Sequence, residues 1–229
     1  MEVGLFDTGP KKKDKRVINP LAPIWPFRML AIGPSGSGKT NAIIHMLENY
    51  MDFDSLQVYA RHLDNEQYTK WKEMMDEREI KNGGNWTFWR SDLDETVPLE
   101  SLPDKWRNMI VFDDMITLPP DKLAYVVDCY IRGRHKNAST IFQTQTWTTV
   151  PKDIRRNLSW VLMFKGLSKR DVREIWNQVG GELEFEDFWK LYQECIAEPY
   201  GFMVVDLATN LKPLRYRNKW DGLYVPKKK

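Results

Sequence analysis

The sequence predicts an α/β protein, a three-layer sandwich with helices on both faces of a mostly parallel central sheet. Three observations carry this. A glycine-rich run, Gly33-Pro34-Ser35-Gly36-Ser37-Gly38-Lys39-Thr40, has the phosphate-loop spacing and stands between a strand-like and a helix-like segment. Strand-like and helix-like stretches then alternate along the chain. Several of the strand-like runs are apolar at consecutive positions, as strands covered on both faces are.

The elements follow in order. Residues 1–22 carry Gly9-Pro10, a basic run from Lys11 to Arg16 and Asn19-Pro20, and read as a flexible basic segment. Pro23 and Pro26 delay regular structure until a first strand over 27–32. A helix over 41–50 follows the loop, with Ile43, Ile44 and Leu47 on one face. A short strand covers 56–60. Asp64 is expected to cap a helix reaching about residue 79, with Tyr68, Trp71 and Met75 on one stripe. Asn82-Gly83-Gly84-Asn85 predicts a turn, 86–89 an edge strand, and 91–106 an acidic loop. The apolar run 109–112 ends in Asp113-Asp114. A helix over 120–132, a strand over 139–145 and a short helix opened by Pro151 come next. A buried strand over 160–164 precedes a helix capped by Ser168 and ended by Gly180-Gly181. A last helix over 185–196 leads to a strong strand over 202–207, beside which 214–217 is expected to pair. The organisation is thus a segment 1–22, one domain over 23–210 and a C-terminal extension over 211–229 with a basic tail. There are no internal repeats.

The loop has a direct chemical reading. Its glycines let backbone N–H groups approach phosphates closely, and the following helix start adds partial positive charge. Lys39 is expected to reach the β- and γ-phosphates, and the Thr40 hydroxyl to ligate Mg²⁺. The loop therefore predicts a nucleoside triphosphate with Mg²⁺. Carboxylates held at the end of an apolar strand complete such a site. Asp113 is expected to hold the Mg²⁺ shell and Asp114 to orient or deprotonate water.

Composition narrows the rest. A net charge of +2 does not mark a chain that coats itself with nucleic acid through bulk charge, and the basic residues instead gather in the runs 11–16 and 227–229. Two cysteines and three scattered histidines give no zinc spacing and suit a reducing compartment. The apolar run 160–164 is strand length, and no membrane span or signal peptide is expected. The ten tryptophans are assigned to packing.

The order of the loop, the Asp113-Asp114 pair, Gly133-Arg134-His135, the strand ending near Gln145, and Pro151 with Ile154-Arg155-Arg156-Asn157 resembles the poxvirus-type genome-packaging ATPases. These form a branch of the FtsK–HerA superfamily of P-loop DNA translocases, and the resemblance covers roughly residues 25–210. It implies that the nucleotide is ATP, held in a RecA/FtsK-like ATPase core, with Gln145 as the polar sensing glutamine and Gln143 as a nearby alternative. Asp114 stands where cellular pumps of the superfamily carry Glu, and matches the viral branch. The resemblance further implies a ring-shaped homo-oligomer that drives double-stranded DNA, without reading its sequence, into a preformed capsid through portal-vertex components. The location implied is host cytoplasm, virus factory or virion. An arginine acting on the neighbouring subunit's nucleotide is expected, with Arg134, Arg155 and Arg156 as candidates. Arg61, Lys136 and Lys152 are the expected DNA-facing positions.

Three rival functions share part of this pattern. Asn218-Lys219-Trp220-Asp221 matches the guanine-reading NKxD element, but reads as a chance match in a tail, and Asp113-Asp114-Met115-Ile116 lacks the GTPase switch glycine. A small-molecule or nucleotide kinase shares the loop, yet Arg170 and Arg173 do not make an arginine-rich lid. A non-catalytic nucleotide-binding assembly factor is disfavoured because Lys39, Thr40, Asp113 and Asp114 are all present.

Overall fold

A computed structural model describes residues 21–223, except 83–85, 92, 116–117 and 182. The basic runs 11–16 and 227–229 and the glycines of the 82–85 turn lie outside the described residues. Among the described residues one nine-stranded sheet runs in the order β3-β2-β4-β5-β1-β6-β7-β8-β9. The strands are β1 Arg28–Ile32, β2 Ser55–Ala60, β3 Trp86–Arg90, β4 Asn108–Asp113, β5 Ala138–Thr144, β6 Trp160–Phe164, β7 Phe202–Asp206, β8 Tyr216–Asn218 and β9 Gly222–Leu223. β3, β2, β4, β5, β1 and β6 are mutually parallel, and β7, β8 and β9 add antiparallel. The predicted edge strand is the sheet's edge. The last two strands come from the segment after residue 210, so the sheet continues into the C-terminal extension.

Period-2 side-chain alternation explains the layers. Met29 and Ala31, Met109 and Val111, and Trp160 and Leu162 face one way. They pack on α1 (Lys39–Asn49) and α2 (Glu66–Asn82) through Ile43, Met46, Leu47, Tyr68 and Trp71. Leu30 and Ile32, Ile110 and Phe112, and Val161 and Met163 face the other way. There they meet α3 (Pro120–Arg132), α4 (Lys152–Arg156), α5 (Lys169–Val179) and α6 (Phe185–Cys195). A strand apolar at every position is what two helical covers demand. α7 (Lys212–Arg215) is a single turn before β8.

Helix ends follow side-chain chemistry. Ser168 caps α5 reciprocally: Ser168 Oγ accepts from Asp171 N, and Asp171 Oδ2 accepts from Ser168 N. The cap of α2 corrects the sequence reading. Asn65, not Asp64, accepts from Tyr68 N at 3.0 Å, because the N-cap side chain bonds the third helical N–H. That helix also runs on to Asn82, past the expected end near residue 79.

β8 is anchored by a buried ion pair. Arg217, 1% exposed, donates from Nη2 to Asp206 Oδ2 at 3.1 Å and from Nη1 to Leu21 O at 2.6 Å, and its guanidinium lies 4.3 Å from the Trp160 ring centroid. Arg217→Ala leaves a buried carboxylate without its cation. It is expected to cost about 3–5 kcal/mol of stability, read as a lower denaturant midpoint at unchanged slope.

Candidate functional site

The parallel strands end together, and their carboxyl ends make the site. In open α/β sheets ligands bind outside those ends, where the winding direction reverses. β1 lies between β5 and β6 and delivers residues 33–40 there. Register does the rest: Ile32 pairs with Thr144, Asp113 with Gln143, and Ala60 with Asp113. The loop, the acid pair and the glutamines therefore converge, though they are far apart in the chain.

The loop is shaped for an anion. Gly36 and Gly38 have φ values of +74° and +94°, a region L side chains rarely enter. A Cβ on Gly33 would lie 2.6 Å from Phe164 Cβ, so the loop can approach β6 only as glycine. Lys39 Nζ donates to Gly33 O at 2.7 Å and Pro34 O at 2.9 Å. Burial lowers the Lys39 pKa, against the opposing charges of Asp113 and Asp114. The Ser37 hydroxyl is buried without a hydrogen-bond partner.

The acid side is built around Asp113. Thr40 Oγ1 lies 3.2 Å from Asp113 Oδ2 and 3.3 Å from Gln143 Oε1. Tyr68 OH donates to the same Asp113 oxygen at 2.5 Å. Burial raises the Asp113 pKa, although Tyr68, Thr40 and Lys39 all favour the charged form. Burial, then the Asp113 charge, pushes the Tyr68 phenol well above its usual value, which keeps it a neutral donor. Asp114 is half-buried with φ +54°, a left-handed backbone outside regular structure at the strand's exit. These residues line a cleft of about 390 Å³ with Arg61, His62 and Gln145.

The donor set fits a magnesium nucleotide. Mg²⁺ takes one or two protein oxygens and completes its shell with phosphate and water. Thr40 and Asp113 offer such a pair, and Gln143 Nε2 and Ser37 Oγ are buried polar atoms lacking partners. Among the described residues no group of three or more His, Cys, Asp or Glu could hold a metal by itself.

The two glutamines differ. Gln143 is fully buried against Thr40, whereas Gln145 is exposed beyond the strand and lines the cleft. Arg134 is exposed on a 3-10 turn before β5, near Arg28 at the start of β1, whose pKa is lowered by burial and then by the Arg134 charge. That is the opposite end of the sheet from the chain's own cleft. Arg155 lies 5.7 Å from the Trp147 ring centroid, and Arg156 is exposed. Arg61 lines the cleft, while Lys136 sits at the amino end of β5 and donates to Glu100 O, so these do not share one face.

Sequence reasoning missed Tyr68 as a site residue, because its spacing reads as part of a core stripe. It also placed 218–221 in a tail away from the nucleotide. The structure corrects that: Lys219, Trp220 and Asp221 line a second cavity against α1, beside Gly38 and Tyr200.

No curated protein matches the chain by sequence. Among solved structures, it is similar to the DNA-packaging ATPase B204 from Sulfolobus Turreted Icosahedral Virus. The identity is 15% and the TM-score 0.56, over 81% of this chain and 95% of that one. It is also similar to the genome packaging NTPase B204 from Sulfolobus turreted icosahedral virus 2 in complex with AMPPCP, at 14% identity and TM-score 0.54, over 80% of this chain and 93% of that one. At such identities the likeness is one of fold. A family model described as the poxvirus A32 protein matches residues 21–180, and the chain belongs to that family.

Proposed function

We propose that this chain is an ATPase that drives double-stranded DNA into a preformed viral capsid. The observation that carries the reading is the meeting of Lys39, Thr40, Asp113 and Asp114 at one end of the parallel sheet, with the Thr40 hydroxyl 3.2 Å from Asp113. Lys39 and the loop N–H groups would hold the phosphates. Thr40 and Asp113 would hold Mg²⁺, which when bound neutralises charge on the β- and γ-oxygens. Asp114 lines the same cleft and would orient water or take its proton. Gln145, exposed in the cleft, suits a sensor of the γ-phosphate, and Gln143 suits a support for Thr40.

Membership of the A32 family and the likeness to packaging ATPases support the packaging role. In a ring of copies Arg134, exposed and far from its own cleft, would be free to serve a neighbour's nucleotide. DNA contact would be sequence-independent, through backbone phosphates. Capsid or portal-vertex components are the other partners. No helix among the described residues is long and apolar enough to cross a membrane. Host cytoplasm, the virus factory and the virion are the expected locations.

The test is steady-state ATP hydrolysis with and without duplex DNA, beside a mass measurement of the assembly. DNA is expected to raise the rate severalfold regardless of sequence, in a multimer. Hydrolysis indifferent to DNA would remove the motor and leave an ATPase of another purpose.

A further inference from the structure

The open space beside residues 33–40 extends past Tyr200. A second cavity of about 410 Å³ opens on the far side of Tyr200, and the two share Gly38, Asn41 and Tyr200. His45 and Tyr50 of α1, Phe202, Lys219, Trp220 and Asp221 form its walls. It lies toward β7 and β8, the side of the loop away from Asp113 and β4.

Tyr200 divides the two spaces. It is 68% exposed, yet its backbone is held at φ +56°, a genuine outlier for so bulky a residue. A Cβ added to Gly38 would lie 3.1 Å from Tyr200 Cδ1, so the ring packs directly on the loop. The surrounding turns are tied together: Lys219 N donates to Phe202 O at 3.0 Å, and Lys219 Nζ pairs with Glu198 at 2.9 Å. An aromatic face is thus fixed at the phosphate loop with its other side open.

A nucleotide whose terminal phosphates lie toward Thr40 and Asp113 has its base at the other end, and the cavity beyond Tyr200 is open space that adjoins the loop on the side away from β4. We infer that the second cavity receives an amino-bearing purine base, stacked on Tyr200, with the Asp221 carboxylate accepting from the base's amino N–H. A carboxylate only accepts, so it selects a base edge that donates. Tyr200 and Asp221 therefore set that the base is an amino-bearing purine, while Lys39 and the loop set that a triphosphate is bound. The inference rests on the nucleotide reading of residues 33–40.

Calorimetric titration of the full chain with Mg-ATP, purine riboside triphosphate and inorganic triphosphate separates the two. Tyr200→Asn removes the ring at a backbone conformation asparagine tolerates. It is expected to weaken ATP about tenfold, the scale of lost base stacking, and to change inorganic triphosphate by less than about twofold. Tyr200→Phe keeps ATP affinity, and Asp221→Ala, which removes the acceptor that asparagine would keep, erases the preference for ATP over purine riboside triphosphate. Equal losses for ATP and inorganic triphosphate in Tyr200→Asn, or none for either, overturn the base site. Lys39→Ala reports on the underlying reading. If it loses both ATP and inorganic triphosphate while Tyr200→Asn loses neither, the base site alone has fallen; if it loses neither, the phosphate site has fallen and the base site with it.

Discussion

Lys39→Ala is expected to reduce ATP turnover by at least about 10³-fold while leaving a folded protein. The size follows from what the ammonium does: it meets charge that builds on the phosphates, where one preorganised cation or donor contributes two to three orders of magnitude or more. The fold should survive. Lys39 is 9% exposed and spends its donors on Gly33 O and Pro34 O. Pro34, Ser35 and Gly36 are exposed, so water can reach the loop once the ammonium is gone. Burial already lowers the Lys39 pKa, so alanine also removes a desolvated charge. Lys39→Arg is expected to fail almost as badly, because a planar guanidinium does not replace a compact ammonium inside so tight a loop. Steady-state hydrolysis with a thermal melt on the same samples checks both halves. Full turnover in a folded Lys39→Ala protein would remove the phosphate-loop assignment, and the motor with it.

Much of this site was legible because its parts are local signals. The loop spacing between a strand and a helix, and the apolar run into Asp113-Asp114, each lie within a few residues. The consecutive apolar residues of 160–164 and of the run 202–207 likewise announced strands covered on both faces. What was not legible depends on strand order. The pairing of Asp113 with Gln143 exists because β4 and β5 are neighbours, and no local pattern states that. Tyr68 shows the same limit: its helical spacing fits core packing, and the ring does pack there, but its hydroxyl reaches Asp113 across the sheet's end. Residues 218–221 looked like a tail because only two short antiparallel strands hold them, and it is the β8–β9 turn that folds them back against α1.

Asp113→Asn should separate function from stability by moving them in opposite directions. Turnover is expected to fall about 10²–10³-fold, since an amide oxygen is a poor substitute for a carboxylate beside Mg²⁺ and developing charge. Stability should rise at neutral pH. Burial raises the Asp113 pKa in the folded protein, so between the ordinary carboxylate value and the raised one the folded state keeps a proton that the unfolded chain has released. Unfolding free energy therefore falls as pH rises through that window, and above it the ionised group is a standing cost. Asparagine carries no such cost, and its carbonyl can still accept from Tyr68 and Thr40. The stabilisation should vanish below about pH 4, where aspartate is neutral in both states. Tyr68→Phe provides the contrast. It leaves the carboxylate in place and removes a donor worth about 1.5–3 kcal/mol to a charged acceptor, so it should lower both stability and, about tenfold, turnover. Melting temperatures of the two variants at neutral and acid pH, read beside their rates, distinguish a carboxylate kept for chemistry at the expense of stability from one kept for packing. If Asp113→Asn melted lower than the parent at neutral pH and still turned over ATP, Asp113 would be a structural acid and Asp114 would have to carry the metal.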